Sequence, residues 1–78
     1  MHFGSSDRGA AIYRDIGERV MLARRRADLT QRQLGERLGI SHVAVGQIER
    51  GETRPDLGKL AALADALGVP LGHLVVID

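Results

Sequence analysis

Residues 31–50 constrain the fold of this 78-residue chain more than any other segment. They read QRQLGERLGISHVAVGQIER, in which two stretches with the apolar spacing of a helix flank a turn of about three residues. Gly39 begins the turn, because glycine takes the left-handed conformation with which many helices end. Gly35 costs a helix roughly 0.5–1 kcal/mol relative to alanine, and a close crossing with the second stretch would compensate for that cost. Apolar residues lie where the two helices would face each other: Leu34, Leu38, Ile40, Val45 and Ile48.

Residues that favour helix starts precede both stretches. Thr30 is followed three residues later by Gln33, the pattern of a capping box, which predicts a helix over residues 31–38. Ser41 is a favourable N-cap and predicts a second helix over residues 42–50. Two short helices that meet across a tight turn form a helix-turn-helix motif.

The remaining segments are also predicted to be helical. A first helix lies over residues 8–27 and a fourth over residues 57–67, each with apolar residues at three- and four-residue steps. Their apolar stripes consist of Ile12, Ile16, Val20, Ala23 and Ala27, and of Leu57, Leu60, Leu63, Ala64 and Leu67. Pro70 fits the opening of a short fifth helix. The fold class is therefore predicted to be all-α, with one compact five-helix domain over residues 8–78 after a flexible segment over residues 1–7.

Composition excludes several classes of function. A chain without cysteine has neither a disulfide nor a thiolate metal site. Its three histidines do not have the spacing of metal ligands: His2, His42 and His73. No apolar run approaches the roughly 20 residues that span a bilayer, and the first residues lack the pattern of a secretion signal. Because no catalytic motif stands out either, we expect a cytoplasmic, non-enzymatic protein without a metal, cofactor or membrane partner.

The third predicted helix, residues 42–50, has two different faces. Val45 and Ile48 must point to the core, which leaves an outward face without acidic residues. That face mixes hydrogen-bonding groups, a methyl-bearing side chain and an arginine: His42, Val43, Gly46, Gln47 and Arg50. Such groups suit the DNA major groove, which presents acceptors, donors and the thymine methyl group. The net charge of +1 is by itself weak evidence for a nucleic-acid partner.

Residues 16–74 resemble the Cro and phage-repressor type of helix-turn-helix domain, the XRE-like family. The matching pieces are IGERVMLARRRADLTQRQLGERLGIS and VAVGQIERGETRPDLGKLAALADALGVPLGHL, which occur in the family's order. The resemblance covers about three quarters of the chain. It implies a lambda-repressor-like fold and a sequence-specific transcriptional regulator, most simply a repressor, whose partner is double-stranded DNA.

The resemblance also implies roles for individual residues. Base-reading positions of the recognition helix are matched by His42, Val43 and Gln47. Positions that contact the DNA backbone are matched by Gln31, Ser41, Arg50 and Arg54. An ion pair between the first and third helices is matched by Arg24 and Glu49. Few side chains of this recognition helix are able to form hydrogen bonds with base edges. DNA shape, backbone contacts and dimerisation are therefore expected to contribute to specificity.

The C-terminal end carries more apolar residues than so small a core can bury: Leu71, Leu74, Val75, Val76 and Ile77. We expect them to form a two-fold homodimer that places two recognition helices about one DNA turn apart on a palindromic operator. The alternative is an antitoxin or adaptor that acts mainly through a protein partner. Salt-dependent binding to a defined DNA sequence would favour the regulator, and a copurifying partner without DNA affinity would favour the alternative.

Overall fold

The structure, a computed structural model, describes residues 7–76. In this range it contains no strand, and its helices are α1 (Asp7–Arg26), α2 (Gln31–Leu38), α3 (His42–Glu49), α4 (Leu57–Leu67) and the 3₁₀ helix Leu71–His73. The predicted all-α class is confirmed. The short fifth helix predicted to open at Pro70 is a 3₁₀ helix of three residues, so the described residues contain four α-helices rather than five. The expectation of a flexible start falls mainly on residues 1–6, which lie outside the described residues.

Local chemistry sets the end of α1 and both ends of α2. Asp28 has a φ of 57°, a left-handed conformation that aspartate tolerates better than most residues, and it follows the end of α1. Thr30 Oγ1 accepts a hydrogen bond from the Gln33 N–H at 3.0 Å, and Gln33 Oε1 accepts one from the Thr30 N–H at 2.8 Å. This capping box begins α2 where the sequence predicts it. Gly39, with a φ of 72°, ends the helix.

Three expectations about the helices differ from the structure: two helices end one residue earlier than predicted, and one residue predicted to be apolar core is exposed. The first helix is α1, Asp7–Arg26, so Ala27 lies beyond it and is exposed. The recognition helix α3 ends at Glu49, and Arg50 is its C-cap. Leu57, predicted in the apolar stripe of α4, is 67% exposed, because the packing of α4 begins one turn later at Leu60.

The core forms where the four helices meet. α3 packs against α1 and α2, while α4 packs against α1, α2 and the 3₁₀ helix. The buried apolar residues are Ile16, Val20, Leu34, Val45, Ile48, Leu60, Leu63, Ala64, Leu67 and Leu74. Since these residues come from all four helices and from the residue after the 3₁₀ helix, one shared core holds α3 in place.

Two glycines let neighbouring helices approach α3 and the turn that precedes it closely. A Cβ on Gly17 of α1 would lie 2.5 Å from the carbonyl oxygen of Glu49 at the end of α3. A Cβ on Gly35 of α2 would lie 2.5 Å from the carbonyl oxygen of Ile40. The close approach predicted at Gly35 therefore involves the turn that leads into α3, and the helix itself is seated on α1 at Gly17.

Among residues 7–76, no helix combines the length and the apolar character needed to cross a membrane. The same residues contain no group of three or more histidine, cysteine, aspartate or glutamate side chains placed to hold a metal ion.

Candidate nucleic-acid interface

A buried ion pair ties the start of α2 and the end of α3 to α1. Arg24 donates from Nε and Nη2 to the Glu49 carboxylate at 2.6 and 3.1 Å. Its Nη1 donates to the Leu29 carbonyl at 2.8 Å, and Gln31 Nε2 donates to Glu49 at 3.0 Å. The side chains of Arg24 and Glu49 are only 11% and 4% exposed. The structure thus joins the two residues that the resemblance pairs, and it adds Gln31 to them.

The outward face of α3 carries no carboxylate, because Glu49, the one acidic residue of the helix, is turned inward to Arg24. His42 and Val43 are exposed, Val43 by 55%, and Gln47 is half-buried. The structure therefore brings the three predicted base-reading residues to one helix that is otherwise packed on the domain. They offer a partner an imidazole, an isopropyl group and an amide.

Two residues predicted to contact the DNA backbone lie at helix N-termini. Ser41 is the N-cap of α3, and its Oγ accepts a hydrogen bond from the Ala44 N–H at 3.1 Å while the side chain stays exposed. A hydroxyl in that position still has its own proton to donate. Gln31 is the first residue of α2 and is half-buried, and its side-chain amide donates one hydrogen bond to Glu49. Both residues lie where backbone N–H groups and the helix dipole favour anions.

Arg50 lies across α3 and is held there by Glu52. Its Nε donates to Glu52 Oε2 at 2.6 Å, and its Nη2 donates to Oε1 at 3.3 Å. A Cβ on Gly46 would lie 3.0 Å from Arg50 Nη1, so the guanidinium covers this glycine. Gly46 is buried because the exposed Arg50 side chain lies over it, so this position of the outward face is covered rather than bare. The hydrogen bond from Arg50 lowers the pKa of the Glu52 carboxyl, and the same contact raises the pKa of Arg50.

Sequence reasoning missed the role of Glu52. Gly51 has a φ of 73°, and this left-handed residue turns the chain back toward the end of α3. The Glu52 N–H then donates to the Gln47 carbonyl at 2.9 Å, which brings the Glu52 side chain beside Arg50. Opposite charges on either side of a helix-ending glycine are the signal that could have predicted this contact.

The loop over residues 51–56 keeps Arg54 between α1 and α3. The guanidinium carbon of Arg54 lies 5.5 Å from the centre of the Tyr13 ring, a cation–π distance, and the side chain remains exposed. A cleft of about 350 Å³ between this loop and α3 has Gln47, Arg54 and Lys59 on its walls. An amide suited to reading a base therefore lies beside two cations suited to phosphates.

The five residues predicted at a dimer interface have different environments. Leu74 is fully buried in the core of its own domain, so its prediction as an interface residue is corrected. Leu71 and Val75 are half-buried against the same core, and Val76 is 45% exposed. Ile77 lies outside the described residues. Of the four that are described, Val76 has the most exposed side chain.

Two short helices joined by a tight turn, with the second seated on the domain by one face and exposed on the other, define a helix-turn-helix domain. The model of the helix-turn-helix family matches residues 20–74. The chain belongs to this family, and it is of the phage-repressor, XRE-like type that the sequence resembles.

Three curated relatives are phage repressors or a transcriptional regulator. The chain is 42% identical over 52 residues to Repressor protein C2 of Salmonella phage P22, and 46% identical over 52 residues to the HTH-type transcriptional regulator DicA of Escherichia coli. It is 37% identical over 60 residues to the immunity repressor protein of Bacillus phage phi105. These alignments cover 67%, 67% and 77% of this chain, and 24%, 38% and 42% of the relatives. The chain thus spans less than half the length of the curated relatives that it matches.

Solved structures share the fold. The restriction-modification controller protein C.AhdI from Aeromonas hydrophila matches with a TM-score of 0.78 at 29% identity, over 83% of this chain and 94% of that one. The P22 c2 repressor in complex with a synthetic operator matches with a TM-score of 0.72 at 38% identity, over 81% of this chain and 96% of that one. The predicted lambda-repressor-like architecture is therefore confirmed.

Proposed function

We propose that this chain is a sequence-specific DNA-binding transcriptional regulator, a repressor that binds a palindromic operator as a homodimer through α3. The observation that carries the proposal is the exposed, carboxylate-free face of α3, whose one acidic residue is neutralised inside the domain by Arg24. Relatives at 42% and 46% identity are a phage repressor and a transcriptional regulator. A regulator of this family does not belong to an enzyme class.

Base readout is assigned to the exposed side chains of α3. The amide of Gln47 can bond to N6 and N7 of one adenine together. Val43, near the start of α3, has exposed methyl groups that suit the methyl group of thymine. His42 at the first position of α3 can donate to a guanine acceptor or to a phosphate. Three such residues make a small reading surface, so DNA shape contributes to the preference.

Phosphate contacts are assigned to the groups around α3. The Ser41 hydroxyl and the Gln31 amide lie at helix N-termini, and Arg50 and Arg54 bring guanidinium groups from the segment after α3. Contacts of this kind fix the register of a domain on the duplex. If each subunit neutralises about three or four phosphates, the log–log salt slope of the dimer is about −5 to −7.

The homodimer is assigned to the C-terminal end of the domain. Val76 contributes exposed apolar surface there, and the half-buried Leu71 and Val75 border it. A two-fold axis at this end would give two α3 helices the spacing of successive major grooves.

Selection of bound sequences from a random duplex library, with the purified protein at moderate salt, tests the proposal. Enrichment of a palindrome with half-sites about 10 base pairs apart supports a dimeric regulator. A folded protein that enriches no sequence contradicts the proposal and favours a role through a protein partner.

A further inference from the structure

Arg50 and Glu52 form a two-contact ion pair beside the outward face of α3. The Glu52 carboxylate occupies Nε and Nη2 of Arg50, at 2.6 and 3.3 Å. The third nitrogen, Nη1, is not bonded to Glu52 and lies over Gly46, where a Cβ would be 3.0 Å away. A guanidinium is rigid and planar, so a partner on one edge fixes the direction of the remaining donors. Glu52 thereby holds the Nη1 end of Arg50 against the recognition helix.

Resting on the function proposed above, we propose that Glu52 is a specificity-determining residue that acts through Arg50. When the duplex, in the correct register, presents a phosphate oxygen where Nη1 lies, Arg50 donates to it and keeps its ion pair. When the duplex does not, Arg50 reaches a phosphate only by leaving Glu52, whose carboxylate then faces the negative backbone without a partner. Glu52 therefore weakens complexes of the wrong sequence or register more than it weakens the operator complex.

Gly46 belongs to the same arrangement. A Cβ added at Gly46 would lie 3.0 Å from Arg50 Nη1, which is too close, so this nitrogen would have to move by a few tenths of an ångström. The atom that moves is the far end of a flexible side chain, and alanine has a higher helix propensity than glycine. Gly46→Ala therefore leaves the fold intact while it displaces the guanidinium from its position over α3.

A second effect of Glu52 must be separated from this one. Removing any carboxylate from a DNA-facing surface reduces its repulsion by phosphates and tightens binding to every duplex. That effect is independent of sequence and does not require Arg50. The effect through Arg50 changes the ratio of the dissociation constants (Kd) for unrelated DNA and operator, and it disappears when Arg50 is replaced. The simple charge effect leaves that ratio unchanged and does not require Arg50.

Fluorescence anisotropy with the selected operator and an unrelated duplex of equal length tests the inference. Glu52→Gln is expected to tighten binding to the unrelated duplex about fivefold, the scale of an exposed ion pair, and to change operator binding by less than about twofold. In an Arg50→Gln background, Glu52→Gln is expected to leave the ratio of the two Kd values unchanged. Glu36→Gln removes the same charge from an exposed position on α2, and this matched control is expected to leave the ratio at its wild-type value.

Equal tightening on both duplexes, or a ratio that falls equally in the Arg50→Gln background, overturns the inference and leaves Glu52 as a simple charge. Gly46→Ala gives a second readout, because it is expected to lower the ratio while Glu52 is intact. A wild-type ratio in Gly46→Ala contradicts the proposed position of Nη1. A wild-type protein that does not distinguish the two duplexes overturns the proposed function itself, and this result is separate from any effect of Glu52.

Discussion

Replacing Glu49 alone is expected to destabilise the domain far more than replacing it together with Arg24. Glu49→Leu removes the carboxylate that accepts two hydrogen bonds from Arg24 and one from Gln31. The Arg24 side chain, 11% exposed, then keeps its charge with one bond to the Leu29 carbonyl. A buried charge that loses its partner costs about 3–5 kcal/mol. At roughly 0.05–0.15 kcal/mol per residue the whole domain has about 4–12 kcal/mol of stability, so this loss is a large part of it.

The double variant Arg24→Met with Glu49→Leu removes both charges and refills the space with apolar groups. Such replacements are often neutral or stabilising, so the double variant is expected to lie within about 1 kcal/mol of the wild type. The coupling energy in the four-member cycle should then be at least about 2 kcal/mol.

Urea unfolding followed by far-UV circular dichroism measures these free energies of unfolding. All variants are compared at one protein concentration, because the proposed homodimer would make apparent stability depend on concentration. Asp15→Ala is the matched control, since it breaks an ion pair with Arg19 whose side chains are 37% and 48% exposed. This exposed pair is expected to contribute less than about 1 kcal/mol. A Glu49→Leu variant no less stable than Asp15→Ala, or a double variant with the summed losses of the singles, would refute the reasoning.

Three further outcomes follow from particular contacts. Gly17→Ala is expected to cost more than about 3 kcal/mol of unfolding free energy, because its Cβ would overlap the α3 backbone. Gly58→Ala, at an exposed position in the first turn of α4, should stabilise by about 0.5–1 kcal/mol, and urea unfolding compares the two variants. Ser41→Asp keeps an N-cap acceptor, so thermal stability is expected to hold while operator affinity falls at least about tenfold; normal affinity would contradict the proposed backbone contact. Val76→Asp is expected to sediment as a monomer with unchanged helicity, and an unchanged dimer would move the interface elsewhere.

The helices were predictable where their ends depend on local chemistry. The capping box at Thr30 and the left-handed Gly39 set the ends of α2 at the predicted residues. The N-cap Asp56 and the left-handed Gly68 likewise set the ends of α4, whose range agrees with the prediction of residues 57–67. These signals act within three or four residues, so a single sequence contains them. Leu57 shows the limit of periodicity, since helical spacing assigns it to a face but does not say how far along the helix the core extends.

The site was predictable where helix geometry alone assigns a face. Val43 and Val45 point to opposite sides of α3, because successive residues of a helix are about 100° apart, and the structure exposes the first and buries the second. The cover of Gly46 by Arg50 was not predictable, because it depends on the rotamer of a long side chain that Glu52 holds. Leu74 shows a different limit, since an apolar residue at the end of a chain suits a core and an interface equally well, and only the packed structure distinguishes them.

Selection of bound sequences with the wild type and Gln47→Ala side by side would measure most directly whether α3 reads bases. The wild type is expected to enrich a palindrome with an adenine preference at one symmetric pair of positions. Gln47→Ala should lose that preference, bind the wild-type operator about 1–3 kcal/mol more weakly, and keep the rest of the palindrome. An unchanged profile in Gln47→Ala would contradict the assignment of Gln47 as the residue of α3 that reads this base.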